Sequence, residues 1–268
     1  MGAFPFTKKR LLSLSLARQH KWISEWLKSV YTDLLADRYK QRSFELFVSE
    51  YKRICAWIRM DLSLSDQLEK KQNWIEFVSD QFHIHQIKRG IELQEWDFLP
   101  RVSIGDLKSP GDWQPVLSYK VACDNLRSAF NVGSIFRLVD AVGFESVIAG
   151  GKTPGKDHRH VRKASMGSVK WIPQEEGENL ANELVTQKEK GYLVVGLETI
   201  QNSKSYLDFN WPEKGVIVLG NEEYGISNSV MSVCDDFVHL PMLGRKNSLN
   251  VANAISVVAF HVSSILAP

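Results

Sequence analysis

The chain has 268 residues, of which 44% are hydrophobic and 24% charged, a composition typical of globular domains that fold in water. No apolar run reaches the ~18 residues needed to cross a bilayer, so we expect no membrane partner. The cysteines Cys55, Cys123 and Cys234 lie far apart and outside any CxxC or Cys/His pattern, which predicts a reduced, cytoplasmic protein without a metal site.

The first half of the sequence predicts helices. Apolar side chains recur at three- and four-residue steps over Phe44 to Ile58, Ile23 to Leu34 and Leu68 to Phe82, as on amphipathic helices. The basic and apolar N-terminal stretch is interpreted as a first helix rather than a secretion signal. Five of the eight tryptophans fall here; a helical core is the favoured interpretation, and stacking on bases is the alternative.

A linker and a change of pattern divide the chain. The segment Pro100 to Pro115 is rich in helix and strand breakers. After it, the β-rich runs VLSYKVAC, SVIAG, YLVVGLE, GVIVLG and DFVHLPM alternate with helical stretches such as VGSIFRLVDAVG and GENLANELVTQKEKG. This alternation predicts an α/β domain with a parallel sheet over residues 111–268, preceded by a small, mainly helical domain over residues 1–110.

Charge is spread unevenly between these two parts. Residues 1–110 hold 18 Lys+Arg against 14 Asp+Glu, whereas residues 111–268 hold 15 against 17. The excess in the first part permits contact with nucleic acid. For residues 1–110 two roles stay open, RNA binding and support of a dimer.

Two nucleotide-binding patterns are disfavoured. The run GGKTPGK resembles a phosphate loop, but that pattern requires glycine where Ser146 stands, and Pro154 interrupts the helix that should follow. No G-x-G-x-x-G follows any predicted strand, so a Rossmann-type enzyme acting on small molecules lacks its fingerprint.

Polar residues follow three predicted strands. Asn131 and Arg137 flank the start of a helix, Gly220, Asn221 and Glu222 follow the apolar strand GVIVL, and a Ser248/Asn250 pair precedes the last helix. Ligands of open α/β sheets gather at the carboxyl ends of strands. Alternatively, either residue of the pair is the N-cap of the last helix.

Three of these segments carry a family resemblance. NVGSIFRLVDAVGF, VIVLGNEEYGIS and LPMLGRKNSLNVANAIS resemble, in order, the signature motifs of the SpoU/TrmH family, RNA ribose 2'-O-methyltransferases of the SPOUT class. The resemblance covers roughly residues 115–268; residues 1–110 resemble no known module. It implies a SPOUT domain with a C-terminal trefoil knot that forms the pocket for S-adenosylmethionine, and a homodimer in which the second subunit helps to build the site.

The resemblance also implies residue roles. The cofactor is expected to be bound by backbone groups of Leu197, Gly220, Leu240, Met242 and Leu249. The expected catalytic set is Arg137, Asn131, Glu222, Ser248 and Asn250. Arg137 either acts as a base with a lowered pKa or stays charged and stabilises the developing alkoxide; because guanidinium is normally always protonated, the second role is favoured.

A basic segment, KTPGKDHRHVRKASMGSVK, lies between the first two motifs. We expect it to contact RNA phosphates through Lys152, Arg159, Arg162 and Lys163. His158 and His160 are too isolated to predict a metal site. The sequence leaves open whether the RNA is tRNA or rRNA. The alternative function is a non-catalytic RNA-binding protein that retains the SPOUT fold.

Overall fold

A computed structural model describes residues 3–62, 71–92, 99, 113–177 and 179–267 of the chain. The chain divides into two compact units, Met1–Leu107 and Lys108–Pro268. Within the described ranges, no helix is long and apolar enough to cross a membrane.

The first unit is built from helices. Its described elements are α1 (Lys8–Leu12), α2 (Leu16–Leu35), α3 (Gln41–Trp57) and α4 (Lys71–Lys88). The helices predicted from apolar spacing are therefore confirmed, although Leu68 and most of the segment from Pro100 to Pro115 lie outside the described residues. Trp26 and Trp74 are buried among Phe44, Phe47 and Tyr51, which confirms the core interpretation for these two tryptophans.

A polar cluster is buried inside this helical unit. Nδ1 of His20 lies 2.7 Å from Nδ1 of His85, and Nε2 of His85 lies 2.9 Å from the Tyr51 hydroxyl, which donates to Gln81 at 2.9 Å. His85 is fully buried. Burial, together with the nearby His20 and Lys88, lowers the pKa of His85 to about 3, so its imidazole is neutral at pH 7.

The second unit is the predicted α/β domain. Its strands are β1 (Ser118–Asp124), β2 (Ser146–Gly150), β3 (Gln174–Gly177), β4 (Leu193–Leu197), β5 (Lys204–Ser205), β6 (Lys214–Leu219) and β7 (Asp236–His239). They form one parallel sheet in the order β3-β2-β1-β6-β4-β7-β5. The parallel sheet is confirmed. The edge strands β3 and β5 were not among the predicted runs.

Helices cover both faces of this sheet. They are α5 (Ala129–Val142), α6 (Arg159–Ala164), α7 (Leu180–Glu189), α8 (Asn228–Met231) and α9 (Val251–Leu266). Along β1, Val121 and Cys123 pack in the core shared with α5 and α9, whereas Ala122 packs in the core shared with α7 and α8. Because successive strand residues point to opposite faces, the strands read as continuous apolar runs.

The strand order decides which loops become neighbours. β6 lies between β1 and β4, and β7 lies beside β4. All strands are parallel, so the loops that follow β1, β4, β6 and β7 emerge at the same edge of the sheet. This is the edge where open α/β sheets bind ligands.

Candidate active site

A cleft of about 680 Å³ opens at the carboxyl ends of β4, β6 and β7, beside the start of α9. Its lining includes all five residues predicted to bind the cofactor, namely Leu197, Gly220, Leu240, Met242 and Leu249. Glu222, Ser248 and Asn250 also line it, whereas Asn131 and Arg137 do not. The predicted cofactor residues thus lie together around one cleft.

A tight turn after β6, from Gly220 to Ile226, forms one wall of the cleft. The N–H groups of Asn221 and Gly225 each donate to the other residue's carbonyl at 2.9 Å, and Gly225 has a φ of +74°. A Cβ on Gly220 would lie 2.2 Å from backbone atoms of Gly225 and Ile226. Glycine at 220 therefore permits a close backbone approach that a side chain would block.

Glu222 connects this loop to the loop after β1. Its carboxylate accepts hydrogen bonds from the Arg127 N–H at 2.9 Å, the Ser128 N–H at 3.1 Å and Asn131 Nδ2 at 2.8 Å. Partial burial by itself raises the pKa of this carboxyl, but the hydrogen bonds outweigh it and lower the pKa below the ordinary value. The side chain is thus an ionised carboxylate that already has three donors.

Asn250 extends the same network to α9. Its Nδ2 donates to Asn131 Oδ1 at 3.0 Å, while its Oδ1 accepts from the Ala252 N–H at 2.9 Å. Of the two N-cap candidates, Asn250 is the cap, and Ser248 is an exposed residue in the cleft lining. The chain Glu222–Asn131–Asn250 therefore links the three signature segments by side-chain hydrogen bonds.

Arg137 lies outside this network. It is exposed on α5 and lines no part of the cleft, whereas Asn131 on the same helix is 9% exposed. Six residues of an α-helix turn through about 600°, which points the two side chains to different sides of α5. Within one copy of the chain, the structure does not bring Arg137 to the other four predicted catalytic residues.

The supposed phosphate-loop segment has a structural role. The Thr153 hydroxyl accepts from the Leu126 N–H at 3.1 Å and donates to the Cys123 carbonyl at 3.0 Å, while the Lys152 N–H donates to Asn125 Oδ1. These contacts brace the loop after β1. The phosphate-loop interpretation, disfavoured from the sequence, finds no support here.

Asn221 is a site residue that the sequence prediction left out of the catalytic set. It is 4% exposed, its Nδ2 donates to the Asn125 carbonyl at 2.6 Å, and its Oδ1 accepts from the Glu223 N–H. It supports the loop that carries Glu222. Its place between Gly220 and Glu222, at the end of an apolar strand, was the available signal.

The predicted RNA-contact residues lie on and before α6. Lys152, Arg159 and Arg162 are exposed and Lys163 is half-buried; Arg162 pairs with Asp157 at 2.6 Å. His160 stacks on Phe130, with ring centroids 5.2 Å apart. No group of three or more His, Cys, Asp or Glu that could hold a metal ion occurs in the part of the chain that the structure describes.

A sequence model of the SpoU rRNA Methylase family matches residues 118–260, just over half of the chain. This chain belongs to the SpoU rRNA methylase family. The matched range contains β1 to β7 and most of α9, and hence all three segments joined by the Glu222–Asn131–Asn250 network.

Known proteins are similar over the same part. A protein of Staphylococcus saprophyticus described as a TrmH family tRNA/rRNA methyltransferase is 37% identical over 149 residues, which are 56% of this chain and 59% of that protein. The TrmH/SpoU tRNA modifying enzyme of A. aeolicus aligns with a TM-score of 0.52 and 26% identity, over 56% of this chain and 76% of that one.

A third relative is the SpoU methyltransferase AviRb of Streptomyces viridochromogenes. Its structure aligns with a TM-score of 0.52 and 25% identity, over 58% of this chain and 62% of that one. AviRb has also been solved in complex with the cofactor AdoMet; that alignment, with 24% identity and a TM-score of 0.50 over 57% and 61% of the two chains, concerns the fold alone.

Proposed function

We propose that this protein transfers a methyl group from S-adenosylmethionine to a ribose 2'-hydroxyl of structured RNA, either tRNA or rRNA. The observation that supports this most is the hydrogen-bonded chain Glu222–Asn131–Asn250, because it joins the three signature segments at the rim of one cleft. We further infer that the segment carrying β7 and α9 forms the trefoil knot of the SPOUT class. The three free cysteines suit a reducing, cytoplasmic location.

The cleft fits the cofactor in size and chemistry. Small-molecule sites span about 300–1,000 Å³, and this cleft measures about 680 Å³. Gly220 lies in the lining, where it lets the loop after β6 pack closely on itself, and the carboxylates of Glu198 and Glu222 in the lining complement a positively charged sulfonium. Leu197, Gly220, Leu240, Met242 and Leu249 would hold the cofactor. When bound, S-adenosylmethionine supplies the reactive methyl group.

The protein's own task is to orient the ribose and stabilise charge on its oxygen. Glu222 already accepts three hydrogen bonds and has a lowered pKa, so we assign it to holding Asn131 and the loop after β1. The Ser248 hydroxyl is exposed in the cleft lining and is available to the ribose or its phosphate. Arg137, which stays charged, stabilises the developing alkoxide.

A homodimer would explain why Arg137 lies outside the cleft of its own chain. α9 exposes Val257 and Phe260, at 41% and 56%, on the side away from its buried residues, and α5 packs against α9. A pair of chains joined along this face would cover the apolar side chains and carry Arg137 to the interface, within reach of the partner's cleft. Closed twofold dimers are the commonest oligomers.

RNA would approach along the basic segment. Lys152, Arg159 and Arg162 present exposed positive charges in the same domain as the cleft, and Lys163 adds a fourth. Contacts of this kind bind phosphates without reading sequence, which suits a site whose target is a ribose.

Cofactor binding separates the proposed enzyme from a non-catalytic RNA-binding protein. At about 100 times its dissociation constant, a ligand adds about 2.7 kcal/mol to the free energy of unfolding. A thermal melt of the full chain should therefore shift upward with S-adenosylmethionine and with its demethylated product. Absence of any shift at millimolar concentrations of both, with RNA binding intact, would favour the non-catalytic alternative.

A further inference from the structure

The start of the helical unit carries several positive charges and no negative ones. Residues 3–24 contain five Lys or Arg and no Asp or Glu; the first acidic residue is Glu25. All five basic side chains are exposed: Lys8, Lys9 and Arg10 on α1, and Arg18 and Lys21 on α2. Residues 25–62, by contrast, contain seven Lys or Arg and six Asp or Glu, so the two signs nearly balance.

An exposed aromatic side chain lies among these charges. Trp22 is 41% exposed, and its ring centroid lies 5.1 Å from that of Phe6. The Arg10 guanidinium stands over Phe6, 5.1 Å from the ring centroid. One turn further along α2, Trp26 is buried and packs on Phe4. The core is therefore filled by Trp26, while Trp22 is partly exposed and contacts Phe6, the ring over which the Arg10 guanidinium lies.

We propose that this surface binds an unpaired segment of the RNA substrate, with Trp22 stacking on a base and the cations contacting phosphates. The surface, here called the α1–α2 platform, consists of Phe6, Lys8, Lys9, Arg10, Arg18, Lys21 and Trp22. The RNA is the substrate of the proposed methyl transfer, and the proposal rests on that function to this extent. Single strands are bound by basic grooves with aromatic stacking sites, whereas paired bases do not expose their faces.

Charge alone would suit any polyanion, including an anionic lipid surface. The additional feature is the Trp22 indole, which packs on Phe6, while Arg10 lies over the same Phe6 ring. Aromatic and guanidinium planes both stack on bases. The pairing of a stacking face with flanking cations favours RNA over lipid.

The test compares two charge variants of equal size in the full-length chain. Lys8→Gln/Lys9→Gln/Arg10→Gln alters the platform, and Lys40→Gln/Arg42→Gln/Lys52→Gln removes three exposed charges elsewhere in the same unit. The probe is a fluorescein-labelled single-stranded RNA of about twelve nucleotides, with an RNA duplex as comparison. Anisotropy gives the dissociation constant over a range of salt concentrations.

We expect the platform variant to lose about tenfold or more in affinity, and the slope of log K against log salt to become shallower by about 2, from three phosphate contacts at about 0.7 each. The control triple variant should bind almost as the parent does. Trp22→Ala should lose about tenfold for the single strand, the scale of one stacked base, and little for the duplex. Leu46→Ala, at a residue that is 60% exposed on α3, should change neither.

Equal losses in both triple variants, or unchanged single-strand binding by Trp22→Ala in a chain with the parent's melting temperature, would overturn the proposal. So would platform-dependent binding to phosphatidylserine vesicles with RNA binding unchanged. S-adenosylmethionine binding, measured on the same samples by thermal shift, separates the two claims: its absence refutes the proposed function, whereas RNA binding tests the platform in either case.

Discussion

The hydrogen bonds of Asn131 and Asn250 define which amide atom donates and which accepts. Asn131 donates through Nδ2 to Glu222 and accepts through Oδ1 from Asn250, although these partners lie 91 and 119 residues further along the chain. Asn250 in turn accepts from the backbone of α9. Each amide is fixed by one donor and one acceptor contact, so the network holds three loops in one arrangement.

The charge of Glu222 should matter more for methyl transfer than the charge of Glu223. Glu222→Gln turns one acceptor oxygen into an NH₂ that faces N–H donors, and hydrogen bonds to charged groups are worth about 1.5–3 kcal/mol each. We expect methyl transfer to fall at least about tenfold. Glu223→Gln, which removes the exposed pair with Arg127, is the matched control and should stay within about threefold, since surface pairs contribute about 0–1 kcal/mol. Equal losses in the two variants would contradict the assigned role.

Arg137 should be required for transfer but not for cofactor binding. It lies outside the cleft lining, so Arg137→Ala should leave the thermal shift with S-adenosylmethionine unchanged. Loss of a transition-state donor typically costs about a hundredfold in rate, and we expect at least that in a methyl-transfer assay. Arg137→Lys keeps the charge and should retain more activity than Arg137→Ala. Near-parent activity in Arg137→Ala would refute the role.

Among the elements, helix α9 packs in the core with one face and is exposed to solvent on the other. Its buried residues Ile255, Val258 and Val262 fill the core beneath the sheet, while Val257 and Phe260 face solvent in the single chain. The helix begins at Val251, and its N-cap Asn250 belongs to the hydrogen-bonded network. A contact made on its outer face is therefore joined through one helix to the candidate active site.

The outer face of α9 offers a matched pair of variants. Val257 on α9 is 41% exposed and Val185 on α7, which packs on the opposite face of the sheet, is 42% exposed. Val257→Glu would place a charge in the proposed interface, and burying an unpaired charge is costly. Sedimentation velocity should show dimers for the parent and for Val185→Glu, and monomers for Val257→Glu, with transfer lost in step. Unchanged dimers in Val257→Glu would place the interface elsewhere.

The elements that could be predicted are those with a strong local pattern. SVIAG coincides with β2 and GVIVLG nearly coincides with β6, because strands buried on both faces read as apolar runs. β3, with the sequence QEEG, and the two-residue β5 are sheet edges with polar side chains, so no hydrophobic pattern marked them. The Asn131–Asn250 contact depends on the order of strands in space and has no local signal.

At the scale of the whole molecule, the helical unit should make stability depend on pH. The unfolded imidazole of His85 takes up a proton near its ordinary pKa of 6.5, whereas in the fold burial, followed by His20 and Lys88, lowers its pKa to about 3. Protonation below pH 6.5 therefore favours the unfolded state. The stabilising contribution of neutral His85 is fully present above pH 6.5. It decreases by about 1.4 kcal/mol per pH unit as the pH falls from 6.5 towards 3.

Two variants separate this titration from simple packing. His85→Gln removes the titrating group, so below about pH 6.5 the slope of unfolding free energy against pH should become smaller by about 1.4 kcal/mol per pH unit. Tyr51→Phe removes the hydroxyl from the same cluster and should lower stability at every pH without changing the slope. Urea unfolding followed by tryptophan fluorescence gives both values. If unfolding of His85→Gln depended on pH as steeply as unfolding of the parent chain, His85 would not titrate as described.

The position of the transferred methyl group tests the central claim most directly. Alkali cleaves RNA only where a free 2'-hydroxyl can attack the adjacent phosphate, so a 2'-O-methyl nucleotide survives within an uncut dinucleotide. Unmodified RNA would be incubated with the protein and methyl-labelled S-adenosylmethionine, then hydrolysed in alkali and resolved by size. The proposed function predicts label in alkali-resistant dinucleotides. Label confined to single nucleotides would mean that a base is methylated and would contradict it.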